Sequence, residues 1–222
     1  MNRPGAGIEV VRGRESVLAV NKVLRNTYML LSLTLAFSAF TAMLSTNAPP
    51  LNPWIFLIGA FGLLFITQAL ANSAWGLVSV FAFTGFFGYA LGPIIGFYLS
   101  TQGGTDIVMT ALGGTAFIFF GLSGYALTSR RDFSFMRGFL GAGALVLMAA
   151  VVIGLIWPMP ALQLALSSAF MLFASALILW QTSSIIHGGE RNYILATITL
   201  YLSIYNLFMS LLHLLTAFTG ND

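Results

Sequence analysis

Seven long apolar segments occupy most of this chain, and none of them holds an Asp, Glu, Lys or Arg in its interior. They run over 27–44, 54–70, 75–99, 107–128, 139–157, 161–186 and 193–218. A helix crossing a bilayer needs roughly 20 predominantly apolar residues, and each segment is near or above that length. Each is continuously apolar, whereas the strands of a membrane barrel alternate over about ten residues. A helix also satisfies its own backbone hydrogen bonds in lipid. Composition agrees: 58% of the 222 residues are hydrophobic and 7% are charged, against about 25% charged in an ordinary soluble domain. The expected fold class is therefore all-α and integral to the membrane, with seven transmembrane helices.

The breaks between segments are Pro, Gly, Asn and Ser clusters or short charged patches. Ser45-Thr46-Asn47-Ala48-Pro49-Pro50 follows the first segment, and Pro158-Met159-Pro160 follows the fifth. Gly188-Gly189 follows the sixth and suits a helix C-cap, because glycine accepts left-handed dihedrals. Residues 1–25 differ from the rest. They hold Arg3, Arg12, Arg14, Lys22, Arg25, Glu9 and Glu15, with Gly5, Gly7 and Gly13. They read as a mobile cytoplasmic tail with a short helix at 15–24, ahead of a transmembrane domain at 26–219. The charged lead is too long, and the following apolar segment exceeds the roughly 7–15 residues of a secretory signal core.

With the N-terminus inside, the tail and loops 71–74, 129–138 and 187–192 face the cytoplasm. They carry five, zero, three and one basic residues, which accounts for all nine in the chain. This distribution obeys the positive-inside rule. It places the N-terminus in the cytoplasm and the C-terminus in the periplasm. It also explains the pI near 9.5 without nucleic acid.

The spans offer little catalytic chemistry. Intramembrane charges cost several kcal/mol and usually mark ion or proton routes; their absence disfavours transport through a buried carboxylate. There is no cysteine, and the two histidines have no carboxylate in metal-ligand spacing. No catalytic residue, metal or cofactor is assigned, and the chain reads as a non-enzyme. Gly121-Leu122-Ser123-Gly124 matches the G-x-S-G motif of rhomboid intramembrane proteases, with His187 on a later span as the base. A nucleophile needs that base within hydrogen-bond reach. The competing reading is a small-residue packing face, and the Ile-His-Gly-Gly context of His187 departs from the protease pattern.

Gly88, Gly92 and Gly96 recur every fourth residue in the third segment, with Pro93 among them. Such a stripe lets a neighbouring helix approach closely, and the proline can kink or hinge the helix. Gln181, Thr182 and Ser183 close the sixth segment, and Tyr201, Ser203, Tyr205 and Asn206 lie within the seventh. These polar residues suit interhelical hydrogen bonds, or a polar core that passes or senses an ion.

Several separated stretches resemble one known family in the same order. They are 23–28 followed by 31–38, the run Phe83-Thr84-Gly85-Phe86-Phe87-Gly88-Tyr89-Ala90-Leu91-Gly92-Pro93, the run 185–193 and the run 200–208. Together they resemble the Bax inhibitor-1 family, and within it the bacterial YccA-like branch. The resemblance implies a seven-helix bundle with the last helix central, embedded in the lipid of the bacterial inner membrane. It implies FtsH, the ATP-dependent membrane protease, as a partner that the chain binds and restrains, with the tail and its Arg3, Arg12 and Arg14 engaged in that contact. It offers a calcium or proton leak as the alternative. The family's acidic sensor pair falls on Gln181 and Ser203, which are not acids. Two carboxylates can share a proton and titrate as a latch; a glutamine and a serine cannot.

Overall fold

The computed structural model describes residues 6–157 and 159–219, with side chains placed from Leu18 onward except at Leu155. Seven helices follow in order: α1 (Ala6–Leu44), α2 (Pro53–Leu70), α3 (Trp75–Leu99), α4 (Gly104–Ser129), α5 (Met136–Ile156), α6 (Pro160–Ile186) and α7 (Tyr193–Thr219). All seven are long and apolar enough to cross a membrane. The seven-helix membrane architecture expected from the sequence is the one observed.

Local chemistry sets the helix ends. Asn52 caps α2 by accepting from the Trp54 amide at 2.9 Å, and Pro53 takes the first helical position, where its missing N–H costs nothing. Pro160 plays the same part for α6. That helix ends at Gly188, whose φ of +72° is the left-handed region expected of a C-terminal glycine. Asn192 starts α7: its Oδ1 accepts from the amides of Ile194 and Leu195. The same side chain donates through Nδ2 to Ala71 O at 3.0 Å and Asn72 Oδ1 at 2.9 Å. It thereby fastens the α2–α3 turn to the start of α7.

Helical backbone begins at Ala6, well ahead of the apolar boundary at Thr27. Of the tail candidates, Arg3 lies outside the described residues. Arg12 and Arg14 lie on α1, with side chains outside the described set.

Helix α7 is the centre of the bundle. It packs on α1, α3, α4 and α6, while α2 leans chiefly on α3 and α5 on α6. Leu200, Tyr201, Ser203, Leu207 and Leu212 of α7 are almost fully buried, whereas Ile58 of α2 and Phe117 of α4 are 74% and 80% exposed and suit lipid contact. Lipid tails are as apolar as these side chains, so close packing and hydrogen bonds hold such a bundle together. An aromatic group of Phe56, Phe83, Phe86, Phe87, Tyr201 and Tyr205 fills the angle between α2, α3 and α7.

The glycine stripe of α3 faces α1. A Cβ on Gly88 would meet Ser38 O and Thr41 Oγ1; on Gly92, Ser45 Oγ and Ala42 O; on Gly96, Thr46 O. The helices therefore touch backbone to backbone. Pro93 adds a second feature. It has no N–H, so the Tyr89 carbonyl one turn earlier lacks its intrahelical donor. Ser45 Oγ, arriving from the end of α1, lies 2.9 Å from that carbonyl and donates to it. An exposed carbonyl in hydrocarbon is costly, and here the neighbouring helix supplies the donor.

Candidate functional site

The polar residues singled out on α6 and α7 separate into two places. Gln181 and Thr182 lie at the end of the bundle that carries the α1 entry and the α4–α5 and α6–α7 connections. Thr182 Oγ1 is 3.2 Å from Tyr28 OH on α1. Gln181 is 1% exposed, and its Nε2 has no hydrogen-bond partner. Thr27 Oγ1 on α1 and Ser123 Oγ on α4 are also buried without a partner. Tyr28 packs against Phe119, one turn from Ser123, at a ring separation of 6.1 Å. Thr197 Oγ1 of α7 is 3.3 Å from Thr27 O. Four helices thus contribute to one buried polar layer whose hydrogen-bonding capacity is only partly used.

Ser203 lies elsewhere. It is fully buried, and its Oγ donates to Thr199 O at 2.7 Å within its own helix. Ser167 Oγ lies 3.5 Å from His213 Nδ1 and sets the antiparallel register of α6 on α7. Fourteen residues along α6 from Ser167 is Gln181, and fourteen back along α7 from His213 is Thr199. Ser203 comes one turn before that level, on the His213 side. Gln181 and Ser203 form no hydrogen bond with each other.

Tyr201 is buried at the crossing of α1, α3 and α7. Its hydroxyl is 2.7 Å from Ser38 Oγ and donates to Thr84 O at 3.2 Å. Tyr205 stacks on it and meets Phe87 edge-on at 5.0 Å. Asn206 donates to Leu202 O at 2.9 Å and lines a cavity of about 850 Å³ toward the opposite end of the bundle, together with Gln163, Ser167, Ser210 and His213. Thr199, Ser203, Asn206, Ser210 and His213 follow at spacings of four, three, four and three, so one face of α7 is polar from mid-helix to its end.

Ser123 and His187 form no dyad. Ser123 Oγ has no partner. His187 is engaged elsewhere, with Nε2 3.1 Å from Arg130 O and Nδ1 turned toward Ser183 of its own helix. A Cβ on Gly121 or Gly124 would meet nothing within 4 Å, so these glycines do not serve close packing either. Instead His187 belongs to a clasp. A carbonyl only accepts, so the Arg130 contact uses the Nε2 proton. Ser183 Oγ donates to Arg131 O and accepts from the Phe133 amide, both at 3.0 Å. The clasp ties the α4–α5 connection to the end of α6. In that connection Asp132 Oδ1 accepts from the Ser134 amide at 2.8 Å, and this bond, with the Ser134 hydroxyl, holds the carboxyl below its ordinary value.

The α1 partners in this network, Thr27, Tyr28, Ser38 and Ser45, went unread in the sequence. Their signal is present: Thr27, Leu31, Thr34, Ser38, Ala42 and Ser45 recur every three or four residues, and all are buried. Among the described residues no three His, Cys, Asp or Glu side chains gather as a metal site would require.

Comparison with known proteins places this architecture. The family described as "Inhibitor of apoptosis-promoting Bax1" matches residues 20–220. The chain belongs to the Bax inhibitor-1 family. A Bax inhibitor-1 relative from Escherichia coli K12, named "Modulator of FtsH protease YccA", is 53% identical, over 94% of this chain and 95% of its own. An uncharacterised protein of Pseudomonas aeruginosa is 56% identical, over 91% and 92% of the two chains. A membrane protein of Vibrio cholerae is 46% identical, over 94% and 95%. A relative from a second Escherichia coli strain, O6:H1, also 53% identical over 94% of this chain, is named "Inner membrane protein YccA". A multi-pass inner-membrane location for this Bax inhibitor-1 chain follows from that likeness and its seven apolar helices.

Proposed function

We propose that this chain is a non-enzymatic regulator that binds the ATP-dependent membrane protease FtsH and restrains its degradation of membrane proteins. The observation that carries this reading is the 53% identity, across 94% of the chain, to the protein named modulator of that protease. The fold supports it. Partner contacts in this reading fall to helix surfaces and to the end of the bundle where the α1 entry and the loops meet. In this reading that end is cytoplasmic, the C-terminus is periplasmic, and residues 1–25, with Arg3, Arg12 and Arg14, contribute to the contact.

Affinity capture from detergent-solubilised membranes tests the partner. FtsH should co-purify with the full chain and be recovered less well when residues 1–25 are removed. Failure of the two proteins to associate in either form would defeat the reading.

The unpartnered, buried Gln181 amide favours a second reading, a calcium or proton leak with a non-acidic sensor position. Reconstituted vesicles should then show flux that changes with Gln181→Asp or Ser203→Asp. Absence of flux for the wild type and both variants over a broad pH range would eliminate it.

A further inference from the structure

A cavity of about 930 Å³ opens between the entry of α1 and the ends of α4 and α6. Three cationic side chains line it, Lys22, Arg130 and Arg191, against one carboxylate, Glu190. Glu190 is turned toward its own loop, where Oε1 accepts from the Asn192 amide at 2.8 Å. Among the described residues the cavity therefore presents a net positive charge. Val23, Leu24, Leu127 and Ile186 form an apolar wall, and Asn21, Asn26 and Tyr193 add polar groups to the rim. A basic rim over an apolar wall at the margin of the spanning helices matches an amphiphile with a phosphate head.

Arg130 strengthens this. It closes α4 with a φ of +49°, the one left-handed non-glycine residue among those described. That conformation disfavours a side chain with a Cβ and is the usual place for glycine or asparagine. An arginine there keeps a cation at the cavity, and the His187 contact to its carbonyl holds the turn in place.

We propose that this cavity binds the headgroup of an anionic phospholipid, with Arg130, Arg191 and Lys22 on the phosphate and the apolar wall against the first methylenes. Basic pockets between transmembrane helices bind such headgroups in general. A membrane protein is surrounded by this ligand at all times, whereas a soluble anion gains nothing from the apolar wall. The cations do have a simpler role as positive-inside residues flanking the spanning segments. Arg25 and Arg137 share that role without lining the cavity, so they separate the two explanations.

The test uses the full-length protein in neutral detergent, titrated with phosphatidylglycerol, phosphatidylcholine or inorganic phosphate and read by native mass spectrometry. Phosphatidylglycerol should bind in preference to phosphatidylcholine. Each neutralised cavity cation should weaken it about fivefold, and Arg130→Gln with Arg191→Gln about 25-fold. Arg25→Gln with Arg137→Gln should leave it unchanged. Equal binding of the two lipids, an equal loss in the control pair, or full displacement by inorganic phosphate would overturn the proposal. If the double variant does not fold, Lys22→Gln decides: Lys22 is an exposed residue on α1, and an unchanged lipid preference in that variant would also overturn it.

Discussion

Replacing Gly92 with alanine tests the central contact of the bundle's α1 side. The added methyl would meet Ser45 Oγ and Ala42 O, with the Ser45 carbonyl carbon at 2.9 Å. Ordinary contacts of a Cβ lie between 3.4 and 4 Å, so α1 must withdraw by at least about 0.5 Å, and two of the three opposing atoms are backbone that cannot rotate away. Overpacking of this kind typically costs about 1–3 kcal/mol. Withdrawal also pulls Ser45 from the Tyr89 carbonyl, and an unsatisfied buried group costs about 1–3 kcal/mol. The expected loss is about 2–6 kcal/mol in all. Gly62 on α2 is the matched control, since a Cβ there meets nothing within 4 Å. Gly62→Ala should gain about 0.5–1 kcal/mol from helix propensity. The assay is reversible unfolding in mixed detergent micelles, followed by circular dichroism. Equal stability of the two variants would refute backbone contact between α1 and α3 as a determinant of the fold.

Ser45→Ala removes the only side-chain donor identified for the Tyr89 carbonyl and should cost about 1–3 kcal/mol in the same assay; no loss would mean that this carbonyl is satisfied in another way. Gln181→Met replaces a buried amide with an unpartnered Nε2 by an apolar side chain of similar length, and should raise stability by about 1 kcal/mol. A fall in stability would show that the amide has a partner, such as bound water. Asp132 predicts a pH effect. Its folded pKa is depressed, chiefly by the Ser134 backbone hydrogen bond. The stabilising contribution is therefore present above its ordinary value of 3.8 and lost as pH falls through the lower folded value. Amide exchange at Ser134, corrected for its intrinsic pH dependence, should lose protection on acidification below that range. Asp132→Asn should remove this pH dependence, and its persistence there would rule out Asp132 as the cause.

The membrane class and the number of helices were legible because a spanning segment must be apolar along its whole length, and seven such runs stand out. Helix ends were less legible. Hydropathy reports where lipid begins, not where helical backbone begins, so α1 starts 21 residues before Thr27, through a charged stretch that a helix tolerates. The glycine stripe was visible as a small-residue repeat. Its consequence at Pro93 was not, because the donor for the freed Tyr89 carbonyl comes from Ser45, 44 residues away in sequence. Gln181 and Ser203 were paired by resemblance alone; both are buried, and Ser203 donates within its own helix. The Ser123–His187 pairing suggested by a four-residue motif fails. His187 Nε2 donates to the Arg130 carbonyl in the α4–α5 connection and its Nδ1 faces Ser183 of α6, contacts that a local motif does not encode.

The proposed regulation of FtsH is tested most directly by the rate at which that protease degrades a membrane protein in proteoliposomes. With this chain co-reconstituted, turnover should slow in proportion to the amount of chain added, and removal of residues 1–25 should weaken the effect. Unchanged turnover at every ratio, with both proteins shown to be folded in the same vesicles, would contradict it.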